Sequence, residues 1–528
     1  MPGPLNAASA KARLHGLGEI ACLDLREHGL YGEGHPFLAV PCPFSRLEFD
    51  VGALVPRAGA PVLLVDDGDG IAALAAERLA ALGYRDVSWI EGGAPAWAAA
   101  GFTLFKGVNL PSKTLGELLE EAWHVPRISV DTLAAWQAEG RDIRLVDGRP
   151  AGEYAKMTLP GAVCAPNGEL GHRAEDLLPD PHTTVVVHCA GRTRSIVGAA
   201  SLALAGVPNP VVALENGTQG WALSGRALDY GREAATLVIP GPKALAASRS
   251  RADALMKRAA VAHIDLNTLR RLAADPDRTL HVLDVRGAEE FATGSIAGAC
   301  HAPAVQLVQA TDHWIGTRRS RVVLLDDTGL RATVAAVFLA ALGYEVAVLR
   351  DVDVAARSGF ERADPVVAPD LARLRQMSAA QAVKQAAAGD PLLDLRGSLA
   401  FRAGHLPGAR WSIRPRLPAL APGARIALVG DFGVAALAAD TLFARGARDI
   451  RLVGGTAEAW RAAGLRLAST PDDPPDATAI DHLFFFHDRH DGNLDAARRY
   501  LAWEQGLTRQ LDRAERAEYR IGPSPFGV

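Results

Sequence analysis

The chain predicts an α/β fold: four tandem units, each a small doubly wound and mostly parallel sheet, followed by a helical C-terminal tail. Three observations carry that expectation. Apolar runs such as Val62-Leu63-Leu64-Val65 and Val185-Val186-Val187 lack the alternation of a half-exposed strand, so both of their faces should be covered. Each run leads into an alanine-rich stretch that ends at glycine, giving strand, turn and helix, half of a βαβ unit. The same landmarks recur four times along 528 residues, and a chain of that length holds roughly three or four domains.

The first landmark is an apolar strand ending in Asp-x-Arg: Cys22-Leu23-Asp24-Leu25-Arg26, Leu145-Val146-Asp147-Gly148-Arg149, Leu283-Asp284-Val285-Arg286 and Leu393-Asp394-Leu395-Arg396. Seven residues after each Asp stands an aromatic, Tyr31, Tyr154, Phe291 or Phe401. The second landmark is the buried strand with its small-residue helix, closing at Gly83, Gly206, Gly343 and Gly446. The third is a short strand, small residues and tryptophan: Ile90-Glu91-Gly92-Gly93 to Trp97, Leu214-Glu215-Asn216-Gly217 to Trp221, and Leu452-Val453-Gly454-Gly455 to Trp460. The third repeat departs here, reading Leu349-Arg350-Asp351-Val352. These landmarks place the units at residues 1–108, 125–232, 260–360 and 375–470, with linkers around Asn109 to Arg127 and Arg232 to Ala262. The run Pro471-Asp472-Asp473-Pro474-Pro475-Asp476 breaks regular structure, and the tail, 477–528, follows it.

Composition narrows the function classes. Charged residues are 22% and the formal net charge is −4, which gives no general reason to expect nucleic acid or an anionic membrane as partner. The first residues, Met1-Pro2-Gly3-Pro4-Leu5-Asn6-Ala7-Ala8, lack a charged segment followed by an apolar stretch, and no long apolar run occurs. A soluble, cytoplasmic protein is expected. Five cysteines, at 22, 42, 164, 189 and 300, are odd in number and scattered, without a C-x-x-C pair. That pattern indicates neither a disulfide framework nor a zinc site, and no cofactor is called for.

One cysteine stands apart. Cys189-Ala190-Gly191-Arg192-Thr193-Arg194 follows the strand ending at His188 and opens a small-residue helix pattern from Ser195 onward. A strand-to-helix turn aims successive N–H groups at one point, and the positive helix end favours both a thiolate and an anion. A free cysteine is otherwise usually a small buried hydrophobe; the two arginines and the glycine favour the catalytic reading.

Asp-x-Arg with its aromatic, Leu159-Pro160-Gly161-Ala162, the loop cysteine after a buried strand, the turn before Trp221, and Gly404-His405-Leu406-Pro407-Gly408-Ala409 in the fourth repeat together resemble the rhodanese family of sulfurtransferases. The resemblance covers about four fifths of the chain as four tandem copies. It implies a catalytic loop at the carboxyl end of a central strand, in accord with the rule for open sheets. Counting back from the closing glycines sets Asp66, Asp326 and Gly430 where the second unit has Cys189, so only the second unit is expected to be catalytic. Of the loop arginines, the other units retain Arg331 alone.

In this family a loop thiolate takes the sulfane sulfur of a donor such as thiosulfate, holds it as a persulfide, and passes it to a second nucleophile. The resemblance implies a thiosulfate sulfurtransferase-like enzyme with Cys189 as nucleophile and Ala190, Gly191, Arg192, Thr193, Arg194 and Ser195 binding substrate. The donor is thiosulfate or a similar anionic persulfide donor, and the acceptor is cyanide, a small thiol or a protein thiol. Related phosphatases carry arginine six positions after cysteine, where this chain has Ser195, which argues for sulfur over phosphate. Glycine falls one place earlier than the commoner family pattern, so which of Arg192 and Arg194 faces the donor stays open, as does whether Ser195 bonds the thiolate or caps the helix. Asp147 and Arg149 are expected to support the loop structurally, His188 and Cys164 to lie in the core, and Asn216 to Trp221 to border the pocket, with Thr218 or Gln219 near substrate.

In the tail, His482, His487, Asp488, His490 and Asp491 surround Phe484-Phe485-Phe486 without a convincing metal pattern. A helix-like stretch runs from Leu494 to about Glu518, capped by Asp491 or Asn493, with Leu494, Tyr500, Leu501 and Trp503 expected to dock on a preceding domain; homo-oligomerisation is left open. Two alternatives to a small-molecule enzyme remain: a persulfide relay to a protein partner, with the inert repeats as docking modules, and a purely regulatory scaffold.

Overall fold

The computed structural model describes residues 3–350 and 374–527, apart from 179, 238, 420, 422, 486–488 and 490–491. Residues 351–360 of the expected third unit, and His487, Asp488, His490 and Asp491 of the tail, lie outside the described residues.

Each repeat builds one parallel sheet with the same strand order. In the second repeat Arg127–Ile128, Val211–Leu214, Thr184–His188, Ile143–Asp147 and Val163–Cys164 lie side by side in that sequence. The first runs Gly3–Leu5, Val87–Ile90, Val62–Val65, Ile20–Asp24, Val40–Pro41; the third Ala262–Ile264, Glu345–Leu349, Arg321–Leu325, Leu280–Asp284, Cys300–His301. The fourth runs Arg375–Met377, Asp449–Val453, Arg425–Val429, Leu392–Asp394, Arg410–Trp411. The unalternated apolar runs are the central strands, as two-sided burial requires: Val62–Val65 and Val185, Val186 and Val187 are buried. After them come the alanine-rich helices Ile71–Ala81, Thr193–Ala205, Leu330–Ala341 and Phe432–Ala444, whose small side chains let helix and sheet approach closely.

The Asp-x-Arg motif is one ion pair made four times. In each unit the arginine Nη2 lies 2.6–2.7 Å from the carboxylate at the strand end. The same nitrogen donates to a backbone carbonyl eight residues beyond the carboxylate's arginine, on Gly34, Met157, Gly294 and Gly404. The pair therefore clips the strand end to the segment that follows the aromatic.

Three features depart from beads on a string. The segments expected as linkers hold helices, Leu110–Trp123 and Pro242–Ala259. The first of these buries Leu115, Leu119 and Trp123 in a core that also contains Ile196 and Ala200 of the second unit and Phe338 and Leu339 of the third. A sixth, antiparallel strand, Thr317–Arg318, comes from the third unit and pairs with Ile20 and Ala21 of the first sheet. Arg414 of the fourth unit is buried against the first, donating to Glu48 (2.7 Å) and to the Phe44 carbonyl (2.9 Å).

The tail is a strap. Its helical stretch divides into Leu494–Gln505, Leu507–Gln510 and Arg513–Arg516. Asn493 caps the first of these, its side chain accepting from Ala496 N at 3.0 Å. Tyr500 and Leu501 dock as expected, but Leu494 is 40% exposed, because it begins the helix on the solvent side. Farther on, Glu518 takes hydrogen bonds from Arg318 and Arg319 of the third unit and sits 2.9 Å from His15 of the first. Among the described residues no helix is long and apolar enough to cross a membrane.

Candidate active site

Cys189 stands at the carboxyl end of the central strand Thr184–His188 and is 2% exposed. The helix after it starts at Thr193, two residues earlier than the small-residue pattern, because the Arg192 carbonyl already accepts from Ser195 N (3.0 Å) and Ile196 N (3.2 Å). The neighbouring turn orients the loop. Thr218 N donates to the Cys189 carbonyl (2.8 Å) and Gln219 N to the Ala190 carbonyl (3.0 Å). Since a trans peptide points its C=O and N–H in opposite directions, this turns the N–H groups of Ala190 and Gly191 to the other side. The turn comes this close only because residue 217 is glycine at φ +49°: a Cβ there would lie 2.0 Å from the Cys189 carbonyl oxygen. The side-chain polar atoms of Thr218 and Gln219 are buried without hydrogen-bond partners among the described residues.

At the sulfur, Ser195 Oγ donates to Cys189 Sγ at 3.2 Å. Burial pushes the thiol pKa up; Arg194 and Ser195 pull it down, Glu504 pushes it up again, and the net shift is upward. The helix-end field expected to release a thiolate is thus outweighed by desolvation in this closed arrangement.

The two arginines part company. Arg192 is turned onto the connecting helix, donating to both oxygens of Glu117 (2.8 and 2.9 Å) and pairing with Glu120. Arg194 pairs with Glu153 through two bonds of 2.6 and 2.7 Å, yet lies close enough to Cys189 for its charge to favour the thiolate. The arginine that faces the sulfur electrostatically is therefore Arg194.

Sequence reading did not find the cover over this loop. The C-terminal helix places Glu504 so that its carboxylate accepts from Arg192 N (3.2 Å) and Thr193 Oγ (2.8 Å), while Tyr500 donates to it at 3.3 Å. A Cβ on Gly191 would meet Glu504 at 2.7 Å and the Tyr500 ring at 3.0 Å, which accounts for glycine at that place. Lys113, on the connecting helix, is buried with its ammonium 5.5 Å from the Tyr500 ring centre and 4.7 Å from that of Trp503. Burial lowers its pKa to about 7. Tyr500 and Glu504, four apart on one helix face, were the one local sign of an inward polar pair.

Asp147 and Arg149 form the buried clip below the loop, reinforced by Thr158 Oγ on Asp147 at 2.9 Å. His188 is fully buried, with Nδ1 3.4 Å from the Cys189 carbonyl oxygen, and Cys164 Sγ contacts the Arg149 carbonyl at 3.6 Å. In the other units Asp66 and Asp326 occupy the cysteine position and are buried. Beside Asp326, a ring nitrogen of His172 and carboxylate oxygens of Glu290 and Asp327 lie within 4.8 Å of one another, but Arg331 bonds both carboxylates at 2.7 Å and serves there as the cation.

The rhodanese-like domain family matches residues 6–100, 129–224 and 265–351. A solved thiosulfate sulfurtransferase from Pseudomonas aeruginosa is 36% identical, covering 98% of this chain and 99% of its own, with a TM-score of 0.88. A rhodanese-like domain from Anabaena aligns over 22% of this chain and 87% of its own at 22% identity, with a TM-score of 0.19. No curated protein matches. With one cysteine loop at the end of a central strand and a relative matched along nearly its whole length, the chain belongs to the rhodanese-like family and is a rhodanese-type sulfurtransferase.

Proposed function

We propose that this enzyme moves a sulfane sulfur from thiosulfate, or a similar anionic persulfide donor, through a persulfide on Cys189 to a thiol or cyanide acceptor in the cytoplasm. The observation that carries the reading is the environment of Cys189 Sγ: a hydroxyl donor at 3.2 Å, the Arg194 charge, and a loop whose carbonyls are pinned outward. Similarity to a thiosulfate sulfurtransferase supports the donor.

In the first half-reaction the Cys189 thiolate attacks the outer sulfur of the donor. The Sγ–S bond forms as the donor's S–S bond breaks, and the electron pair departs on sulfite. Ser195 Oγ–H and the loop N–H groups stabilise charge on the sulfur, and being fixed before the reaction they need no reorganisation. In the second half-reaction an acceptor thiolate or cyanide takes the terminal sulfur and returns the Cys189 thiolate, so ping-pong kinetics are expected.

The test compares sulfite release from thiosulfate, with cyanide or glutathione as acceptor, between the wild type and Cys189→Ser. Loss of turnover in the variant, with a gain of one sulfur atom on Cys189 of the wild type after thiosulfate treatment, is the expected result. Turnover equal in the two proteins sinks the proposal, and transfer to protein thiols alone moves it to a relay.

A further inference from the structure

In all four units the loop after the central strand has its N–H groups answered by a carboxylate. Asp66 accepts from Gly68 N and Ala72 N, both at 2.9 Å. Asp326 accepts from Gly329 N and from Arg331 N (3.1 Å). Asp431 accepts from Gly433 N (2.9 Å) and Val434 N (3.1 Å). These three belong to their own loops. In the second unit alone the carboxylate comes from elsewhere, Glu504 on the C-terminal helix, which binds Arg192 N and Thr193 Oγ in the space above Gly191. All four loops thus offer N–H groups to a carboxylate, and in the second unit the occupant is not built into the loop.

Next to that seat is a cation without a bonded counter-ion among the described residues. Lys113 is 5% exposed and makes no hydrogen bond or ion pair with the described residues; the rings of Tyr500 and Trp503 are what its ammonium faces. Burying an ammonium in that state is costly, and such groups concentrate where a ligand brings the missing charge. Its helix is anchored on the loop one turn farther along: a Cβ on Gly116 would meet the Thr193 Cα at 3.1 Å, and Glu117 holds Arg192.

We propose that the seat held by Glu504 is the binding place of the donor's sulfonate, which displaces the carboxylate, and that Lys113 is the binding residue that takes the sulfonate's charge. The inference deepens the persulfide reading of Cys189 and rests on it. When the Sγ–S bond forms and the donor's S–S bond breaks, the electron pair stays with the sulfonate sulfur, so sulfite is released from the seat with both of its charges and no oxidant or reductant is required.

The two variants should move in opposite directions. With the full chain, Glu504→Gln removes the resident charge and lowers KM for thiosulfate by about fivefold, whereas Lys113→Met raises it by about tenfold or more. With an alkyl hydropersulfide as donor, which carries no sulfonate, neither variant changes KM. Shifts of the same sign, equal shifts with both donors, or unchanged values overturn the proposal. Should Lys113→Met fail to fold, Glu504→Gln decides alone, since an unchanged or higher KM for thiosulfate contradicts the seat. The underlying reading fails separately: absence of sulfur on wild-type Cys189 after thiosulfate sinks the persulfide, while its presence with unmoved KM values sinks the seat only.

Discussion

Burial and Glu504 push the Cys189 thiol pKa up, while Arg194 and Ser195 pull toward the thiolate; the buried Tyr500 hydroxyl also feels the charge of the sulfur. Removing a stabiliser of the charged form moves the pKa farther up. Ser195→Ala should therefore shift iodoacetamide alkylation of Cys189 to higher pH and slow it at neutral pH by about tenfold, the value of a hydrogen bond to a charged atom; a profile identical to wild type would assign Ser195 to helix capping. Arg149→Ala leaves Asp147 buried without its partner and should cost about 3–5 kcal/mol in urea unfolding. At this scale much was legible in advance. Cys189, Ser195, Asp147 and Arg149 are close in sequence to the strand ends that place them, so local pattern sufficed. The choice between Arg192 and Arg194 was not legible, since it depends on Glu117, Glu120 and Glu153, carboxylates that no local spacing connects to the loop.

The loops after the central strands show what a short element can change without altering the fold. Asp66 is engaged by two N–H groups of its own turn, so the first unit's loop has both its charge and its donors satisfied. Asp66→Ala should leave the rate of sulfite release per folded enzyme unchanged, while lowering stability by about 1–2 kcal/mol through loss of the turn bonds; a tenfold loss of rate would contradict the inert assignment. Gly217 is the converse case, as its positive φ and its approach to the Cys189 carbonyl tolerate no side chain. Gly217→Ala should push the turn off the loop and reduce turnover at least tenfold, about the effect expected of a displacement near an ångström at a reacting group. Strands and alanine-rich helices were readable from period and composition. The connecting helix Leu110–Trp123 falls between the repeated landmarks, in a segment expected as linker; its packing partners belong to two other units.

Over the whole molecule, the units are joined by ion pairs as well as by apolar surface. Arg414 reaches from the fourth unit into the first, where Glu48 and the Phe44 carbonyl receive it. Arg414→Ala strands Glu48 in a buried site and should free the fourth unit to unfold at lower temperature than the rest, visible in calorimetry as an added early transition. Contacts of this kind join residues hundreds of positions apart, and for that reason the four repeats could be counted from the sequence while their assembly could not. The added strand Thr317–Arg318 has a consequence of its own. It pairs along the strand edge at Ile20 and Ala21 that would otherwise form a bare rim. A fragment carrying only the first two units would expose that rim to any passing strand and is expected to self-associate, so these repeats are not interchangeable modules that can be excised and traded one at a time.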